Sequence, residues 1–353
     1  MKKVISILLC TFLLMGMFTL SGCTEQEHVE NTTRTIVDMK GKTVEIPSTI
    51  DNYCILYSSA VGICGMLDEG FANVRMLPSL WIYETWTYRM FPNLPDQVVI
   101  VNKNSVTAEQ IVENGTQLVF WSNQSEELIE ALEGLGIACV NVAFQNDEEL
   151  SRAVHIMADV FGTDYAKEMA TLFCDDLAKT AEEMIALAST VPDNERVSVL
   201  FLSAPETLTG FGKKSYEYGW ASRLNLNYIL PSEEMVNKVD LTMEQVYEFD
   251  PDVIIFESVI DEDAVYSDPV WSELRAAKNN GLIANPCMLN VWAKSGMENI
   301  MTYKWAVATL YPDYADGIDL VQDLIDFSKK YFNYTMSVEE AQIVLSGEIP
   351  VFE

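Results

Sequence analysis

Short apolar runs alternate with amphipathic stretches along most of this chain. Runs such as CILY, QLVF, IACVNVAF, VSVLFL and DVIIF have the length and composition of buried strands. Between them lie stretches such as SEELIEALEGLG, whose apolar residues recur every three or four positions, as in a helix packed on one side. Strands that alternate with helices predict a mostly parallel sheet with helices on its faces. The pattern therefore indicates an α/β protein.

One phrase of the sequence occurs twice. VTAEQIVENGTQLVF occupies positions 106–120, and LTMEQVYEFDPDVII occupies positions 241–255. In each copy a threonine (Thr107 or Thr242) precedes a glutamine by three residues, which is the spacing of a capping box, and a glutamate falls in the first turn. Each copy predicts a short capped helix followed by a buried strand. We therefore expect two similar α/β lobes.

A long helix is predicted between the two copies. Residues 163–190 contain neither Gly nor Pro, and their apolar positions share one face. A helix of this length spans about 42 Å. We divide the chain into a first lobe at 34–145, a helical segment at 146–192 and a second lobe at 193–353. The expected fold class is two Rossmann-like lobes with mostly parallel sheets, joined by one long linker helix.

The N-terminus has the pattern of an export signal. Residues 1–22 combine a basic start with an apolar run and end in Leu-Ser-Gly before Cys23, which resembles the lipobox of bacterial lipoproteins. This resemblance implies cleavage before Cys23 and a lipid anchor on its thiol, on the extracytoplasmic face of the cell membrane. The polar stretch 23–33 is expected to be a flexible tether.

Composition narrows the classes of partner and site. With 22 basic and 53 acidic residues, the formal charge of −31 disfavours nucleic acid and anionic lipid surfaces as partners. Beyond Cys10 and Cys23, five of the seven cysteines remain, without metal-ligand spacing, and we expect free thiols. The two histidines, His28 and His155, are too few for a multi-histidine metal site. No nucleophile elbow or phosphate-binding glycine loop is present, so we expect neither enzymatic activity nor a cofactor.

Four segments, in order, resemble a known family. TIVDMKGKTVEIP (a predicted two-stranded ribbon), LTMEQVYEFDPDVIIF, DPVWSELRAAKNNGLIANP and WAVATLYPD are similar to segments of the periplasmic binding proteins that serve ABC importers of iron–siderophores, haem and cobalamin. The resemblance covers residues 34–313. It implies a monomeric substrate-binding protein that holds its ligand between the lobes and delivers it to a dimeric permease with its ATPase. It also implies that Glu109 and Glu244 dock on the permease; the alternative is that both serve only their helix N-termini.

Candidate ligand-binding residues follow the predicted strands, because open α/β sheets bind ligands beyond the carboxyl ends of their strands. The segment 80–95 is rich in aromatic side chains, which offer flat apolar faces, and basic side chains suit an anionic group. The candidates are Ser58, Ser59, Trp81, Tyr83, Trp86, Tyr88, Arg89 and Trp121 in the first lobe, and Lys213, Lys214, Tyr216, Trp220, Arg223, Glu257, Trp292 and Lys294 in the second.

The expected ligand is a metal chelate, with a ferric siderophore placed ahead of cobalamin and haem. A siderophore complex is bulky and neutral or anionic, which suits aromatic and basic side chains. Haem would use a tyrosine here, and cobalamin would use aromatic and polar contacts. An oxyanion such as molybdate requires a small polar cage, which bulky aromatic residues disfavour. A surface sensor or binding module without transport is the alternative class.

Overall fold

The computed structural model describes residues 32–79, 84–230, 237–257 and 260–350. The described part of the chain begins with an antiparallel ribbon of β1 (Thr33–Val37) and β2 (Thr43–Pro47). At its two ends Thr33 pairs with Pro47 and Val37 pairs with Thr43. Asp38 closes the turn, since its Oδ1 accepts the backbone N–H groups of Lys40 and Lys42, each at 2.9 Å. The predicted ribbon is therefore present. The predicted leader and Cys23 lie outside the described residues.

The first lobe is built on a five-stranded parallel sheet with the order β5-β4-β3-β6-β7. Its central strands β3 and β6 are buried along their whole length, which explains their continuous apolar sequence. The strands are β3 (Tyr53–Ile55), β4 (Val74–Pro78), β5 (Val99–Val101), β6 (Leu118–Trp121) and β7 (Ala138–Asn141). The helices are α1 (Val61–Leu67), α2 (Glu84–Met90), α3 (Leu94–Gln97), α4 (Ala108–Glu113) and α5 (Glu126–Gly134).

Two helices follow β7. The first, α6 (Asp147–Phe161), ends at Gly162, whose φ of 74° lies in the left-handed region that favours glycine. Thr163 then caps α7 (Asp164–Ala188), because its hydroxyl accepts the N–H of Ala166 at 3.0 Å. The 25 residues of α7 span about 37 Å. The predicted linker helix is thus present, with ends one and two residues inside the predicted bounds.

The second lobe contains a six-stranded sheet with the order β11-β9-β8-β12-β13, and β10 also pairs with β8. The pairs β8–β10, β8–β12 and β12–β13 are parallel, whereas β9 is antiparallel to β8 and β11. The strands are β8 (Ser198–Leu202), β9 (Thr209–Gly210), β10 (Asn227–Tyr228), β11 (Val239–Asp240), β12 (Val253–Phe256) and β13 (Leu282–Ala284). The helices are α8 (Tyr216–Arg223), α9 (Met243–Phe249), α10 (Glu262–Ser267) and α11 (Arg275–Lys278).

Three C-terminal helices connect the lobes a second time. They are α12 (Asn299–Leu310), α13 (Leu320–Phe332) and α14 (Val338–Ser346). Helix α7 packs against α1, α6 and α12, and α13 also contacts α1. Arg89 of α2 donates to Glu340 of α14 at 2.9 Å, and the rings of Phe91 and Phe332 lie 6.0 Å apart. The predicted class, two α/β lobes with mostly parallel sheets joined by one long helix, is confirmed.

The repeated phrase forms the same local structure in both lobes. Helices α4 and α9 each begin with a complete capping box, in which Thr107 pairs with Gln110 and Thr242 pairs with Gln245. In each box the threonine hydroxyl accepts the glutamine N–H, and the glutamine side chain accepts the threonine N–H. The strands that follow, β6 and β12, occupy interior positions of their sheets. The repeat therefore encodes the junction of a helix and a central strand.

We expect Thr107→Ala and Thr242→Ala each to lower the free energy of unfolding by about 1 kcal/mol, because each removes the acceptor for one N–H at a helix start. The two losses should add, since the caps lie in different lobes and share no partner. Urea denaturation of the single and double variants measures this. Thr171→Ala, at an exposed position within α7, is the matched control and should change stability by less than about 0.5 kcal/mol. Strongly non-additive losses would contradict two independent caps.

Candidate functional site between the two lobes

A cavity of about 550 Å³ lies between the lobes. Its walls come from the loops after the strands: Tyr57 follows β3, Phe144 follows β7 and Glu257 follows β12. This is where open α/β sheets bind ligands, and the volume suits a small organic molecule or complex. The lining residues are Tyr57, Ser59, Phe144 and Gln145 from the first lobe, and Phe211, Gly212, Lys214, Ser215, Tyr216, Glu217, Asn237, Lys238, Glu257, Ala293, Lys294 and Ser295 from the second.

Glu257 is held between two lysines on the second-lobe wall. Lys294 Nζ lies 3.1 Å from its Oε1, and Lys238 Nζ lies 3.4 Å from its Oε2. The Glu257 side chain is 13% exposed, whereas both lysine side chains are about half exposed. Lys238 also lies 4.2 Å from the centre of the Phe211 ring, a cation–π contact that orients it along the wall. One carboxylate thus faces two ammonium groups.

Two further lysines have no carboxylate partner among the described residues: Lys214 lines the cavity, and Lys103 contacts Ser58 beside it. Lys103, in the loop after β5, donates to Ser58 Oγ at 3.4 Å. Burial, and then the positive charge of Lys294, lower the pKa of Lys103. Lys214 lines the cavity and is exposed. The lining lysines Lys214, Lys238 and Lys294 outnumber the lining acids Glu217 and Glu257, in a chain whose net charge is −31.

The cavity also contains a buried acid. Glu217, at the start of α8, is 4% exposed. Burial raises its pKa to about 7, and the negative charge of Glu257 contributes to the rise. Near neutral pH its carboxyl group is therefore a mixture of the protonated and charged forms. When it is protonated, Glu217 carries no charge, and the cavity then contains one negative charge fewer.

Aromatic rings form the apolar part of the lining. The rings of Tyr57 and Phe144 meet edge to face with centroids 5.1 Å apart, and the Tyr57 hydroxyl donates to the Phe144 carbonyl at 3.3 Å. These two contacts fix both rings on the first-lobe wall. Tyr216 and Phe211 supply rings from the second lobe. The cavity therefore combines flat apolar surfaces with ammonium groups.

Some of the residues predicted from the sequence lie at this cavity. Those that line it are Ser59, Lys214, Tyr216, Glu257 and Lys294. Ser58 lies beside it as the acceptor for Lys103. Lys213 is half-buried next to Lys214. Trp81 and Tyr83 lie outside the described residues.

The structure places other predicted residues away from the lining of this cavity. The tryptophan side chains fill cores: Trp86 and Trp292 are fully buried, and Trp220 is 1% exposed and packs edge to face on Phe201. Tyr88 packs against the core of the first lobe. The ring of Trp121 is nearly buried and lies 4.5 Å from Lys40 Nζ. Arg89 pairs with Glu340, and Arg223 pairs with Asp147. Large apolar area drives tryptophan into a core unless a ligand covers it.

Several lining residues were not predicted. Tyr57 and Phe144 end two of the predicted strands, so the strand-end rule that selected Ser58 and Ser59 applies equally to them. Glu217 lies directly after the predicted residue Tyr216. Lys238 carries no sequence signal, because its approach to Glu257 depends on how the loops pack.

The two predicted docking residues are exposed and equivalent in the two lobes. Glu109 and Glu244 lie in the first turns of α4 and α9. In both, hydrogen bonding to the residue's own backbone N–H, and then to the hydroxyl of the capping threonine, lowers the pKa of the carboxyl group. Three residues further on, each helix exposes an apolar side chain, Val112 in α4 and Tyr247 in α9. Each lobe thus presents a charged carboxylate beside an exposed apolar group.

We expect Glu217→Gln to stabilise the protein at pH 8 but not at pH 5. The pKa of Glu217 is higher in the folded chain, at about 7, than its ordinary value of 4.5, so the folded state binds the extra proton. This contribution to stability is complete below pH 4.5 and is lost as the pH rises through 7, which makes the variant up to about 3 kcal/mol more stable at pH 8.

Urea denaturation of wild type and Glu217→Gln at pH 5, 6, 7 and 8 measures this difference. Glu298 is also buried, and burial raises its pKa to about 7, so the variant retains that part of the pH dependence. Glu206→Gln, at an exposed position, is the control and should follow the wild type. A constant difference between wild type and Glu217→Gln at every pH would contradict the prediction.

Comparison with solved structures shows the same fold in proteins of low sequence identity. A periplasmic solute-binding protein from Veillonella parvula superposes with a TM-score of 0.78 at 20% identity, covering 89% of this chain and 97% of that one. The molybdate periplasmic binding protein MolA of Haemophilus influenzae, bound to molybdate, gives 0.76 at 18% identity, covering 86% and 99%. The iron-uptake system-binding protein FeuA of Bacillus subtilis gives 0.62 at 15% identity, covering 78% and 100%.

Comparisons by sequence gave no match to this chain, either among protein-family models or among curated proteins. Among the described residues, no helix has both the length and the apolar character needed to cross a bilayer. At these identities the solved structures establish the fold alone. The chain therefore has the fold of the periplasmic solute-binding proteins of ABC transporters, as its sequence resemblance implies.

Proposed function

We propose that this protein is the extracytoplasmic substrate-binding protein of an ABC importer, and that it captures an anionic metal chelate of the ferric siderophore class. The observation that carries this proposal is the excess of lysine ammonium groups around the cavity. Lys103 and Lys214 have no carboxylate partner in the described part of the chain, while Lys238 and Lys294 share Glu257. An anionic ligand supplies the missing negative charge.

The charge of the whole chain strengthens this argument. A protein with 53 acidic and 22 basic residues repels anions over most of its surface. Placing several lysines at one concave site between low-dielectric walls concentrates the positive potential there. The positive charge of Lys294 also contributes to lowering the pKa of Lys103, so the two ammonium groups repel. A bound anion would remove this repulsion, which favours binding over the empty state.

Size and lining favour a chelate over a bare oxyanion. MolA shares the fold and binds molybdate. The cavity here measures about 550 Å³, more than a tetrahedral oxyanion fills, and its aromatic lining includes the half-buried Tyr57. A chelate with aromatic or carboxylate groups uses the rings and the lysines together.

Haem and cobalamin fit the lining less well. Burial raises the pKa of Tyr216 well above its usual value, so this residue is poorly suited to act as a phenolate ligand of haem iron. Cobalamin requires few cationic contacts and leaves the lysines unexplained. Both remain alternatives that a binding experiment separates from a siderophore complex.

The remaining parts of the proposal concern the membrane. Cys23 would carry the lipid anchor that holds the protein at the extracytoplasmic face of the cell membrane. Glu109 and Glu244 would dock on basic pockets of the two permease subunits, with Val112 and Tyr247 as apolar neighbours. Support comes from the equivalent exposure of these side chains in the two lobes. A permease surface that combines basic and apolar groups would match the carboxylate and the apolar side chain that each lobe exposes.

We expect Lys214→Met and Lys103→Met each to weaken binding of an anionic ferric chelate by about tenfold to a hundredfold. Each variant removes one charged hydrogen-bond donor, which contributes about 1.5–3 kcal/mol. Isothermal titration calorimetry with a ferric tricatecholate, haem and cobalamin measures this, and wild-type affinity for the preferred ligand should fall as salt is added.

The matched control for this experiment is Lys179→Met. Lys179 is exposed on α7 and lies 3.9 Å from Glu183, so the variant removes the same charge away from the cavity. Its affinity should equal that of the wild type. Cobalamin binding without ferric chelate binding would replace the proposed ligand, and undiminished affinity in both cavity variants would refute the lysine role.

Reversing both docking charges, in Glu109→Lys/Glu244→Lys, should abolish uptake by cells while leaving chelate affinity within about twofold of the wild type. Affinity should be retained because both residues lie at helix starts away from the cavity lining. Uptake of radioactive iron and calorimetry on the purified variant provide the two measurements. Glu113→Lys/Glu248→Lys, on the same two helices, is the control for charge alone. An equal loss of affinity and uptake would contradict a docking role.

A further inference from the structure

Asp147 stands at the centre of a hydrogen-bond cluster that joins the two lobes. It is the first residue of α6, directly after the first-lobe sheet. Its Oδ2 accepts from the Tyr303 hydroxyl at 2.6 Å and from the Arg223 guanidinium, and its Oδ1 accepts from Asn299 Nδ2 at 3.1 Å. The Tyr216 hydroxyl lies 3.5 Å from Oδ1. All four partners belong to α8 and α12 of the second lobe.

Two of these partners connect Asp147 to the walls of the cavity. Tyr216 lines the cavity with its ring, while its hydroxyl faces Asp147. Asn299 holds the loop that contains Lys294: its Oδ1 accepts the N–H of Gly296 at 2.8 Å, and its Nδ2 lies 3.3 Å from Ser295 Oγ. Asp147 itself is not among the side chains that line the cavity. Its influence on a ligand must therefore pass through these neighbours.

The charge of Asp147 is what allows this arrangement. Its side chain is 16% exposed, so much of its hydration is lost and the second-lobe donors replace it. A neutral side chain in its place would leave the Arg223 charge without its partner and weaken the hold on Asn299. The loop with Lys294 would then be less strictly fixed relative to Lys103 in the first lobe.

We propose that Asp147 is a positioning residue for the cavity. Its carboxylate holds Tyr216, and also the loop that Asn299 fixes, against the first lobe. In this way it sets the arrangement of the ligand-binding groups. This inference rests on the proposed function, because it assigns a role in binding the same ligand. It adds a residue that touches no ligand but on which affinity depends.

Asp147→Asn tests this inference, because it keeps the shape of the side chain and removes its charge. We expect the full chain, purified in mild detergent, to bind the ferric tricatecholate at least tenfold more weakly by calorimetry. We also expect faster hydrogen–deuterium exchange of the Gly296 amide in the absence of ligand, because the acceptor of its hydrogen bond is less strictly held.

Asp176→Asn is the matched control. Asp176, on α7, accepts from Lys330 and the Tyr331 hydroxyl, a similar pair of donors remote from the cavity. This variant should lose comparable stability yet keep wild-type affinity and wild-type exchange at Gly296. A restoring effect is also expected: Asp147→Glu should recover part of the affinity, because it restores the charge.

The outcomes separate the two proposals. Wild-type affinity and exchange in Asp147→Asn, or equal losses in Asp176→Asn, would overturn the positioning role. Failure of the wild-type chain to bind any ferric chelate would refute the proposed ligand. The exchange measurement, which needs no ligand, would then still decide whether Asp147 fixes the cavity wall.

Discussion

The packing of helix α7 against both lobes is the constraint on which the rest of the molecule depends. This helix contacts α1, α6 and α12, so a rotation of one lobe against the other would disturb buried contacts. The C-terminal helices add a second connection, through the pair of Arg89 with Glu340. Because of these two connections the cavity has a defined width. Side chains from separate lobes can then act on one ligand as a preorganised set.

Within this frame, electrostatics distinguishes the cavity from the remaining surface. The chain is strongly acidic, yet three lysines line the cavity and Glu257 is shared by two of them. The second acid, Glu217, is buried so deeply that its pKa rises to about 7, which reduces the negative charge at the site. The same burial makes this part of the fold sensitive to pH. Binding chemistry and stability are thus coupled at one residue.

The positions of the aromatic residues show what composition alone does not determine. Trp86, Trp220 and Trp292 were chosen because large rings near strand ends suit a bulky ligand, but each fills a core. A tryptophan buries as much apolar surface in a core as in a cleft, so composition alone does not distinguish the two. Strand-end position was the better guide, since it selected Ser59 and Glu257 and applies equally to Tyr57.

The sequence by itself determined the parts of this protein that depend on neighbours in the chain. Periodicity gave the α/β alternation, the capping boxes at Thr107 and Thr242 gave the two repeated helix starts, and an uninterrupted helical stretch gave the linker. The composition of the cavity, with Lys103 beside Lys294 and the cluster around Asp147, was decided only by tertiary structure. The physical reason is that helix caps and periodic faces are local interactions. Contacts between residues more than a hundred positions apart depend on how the two lobes are oriented.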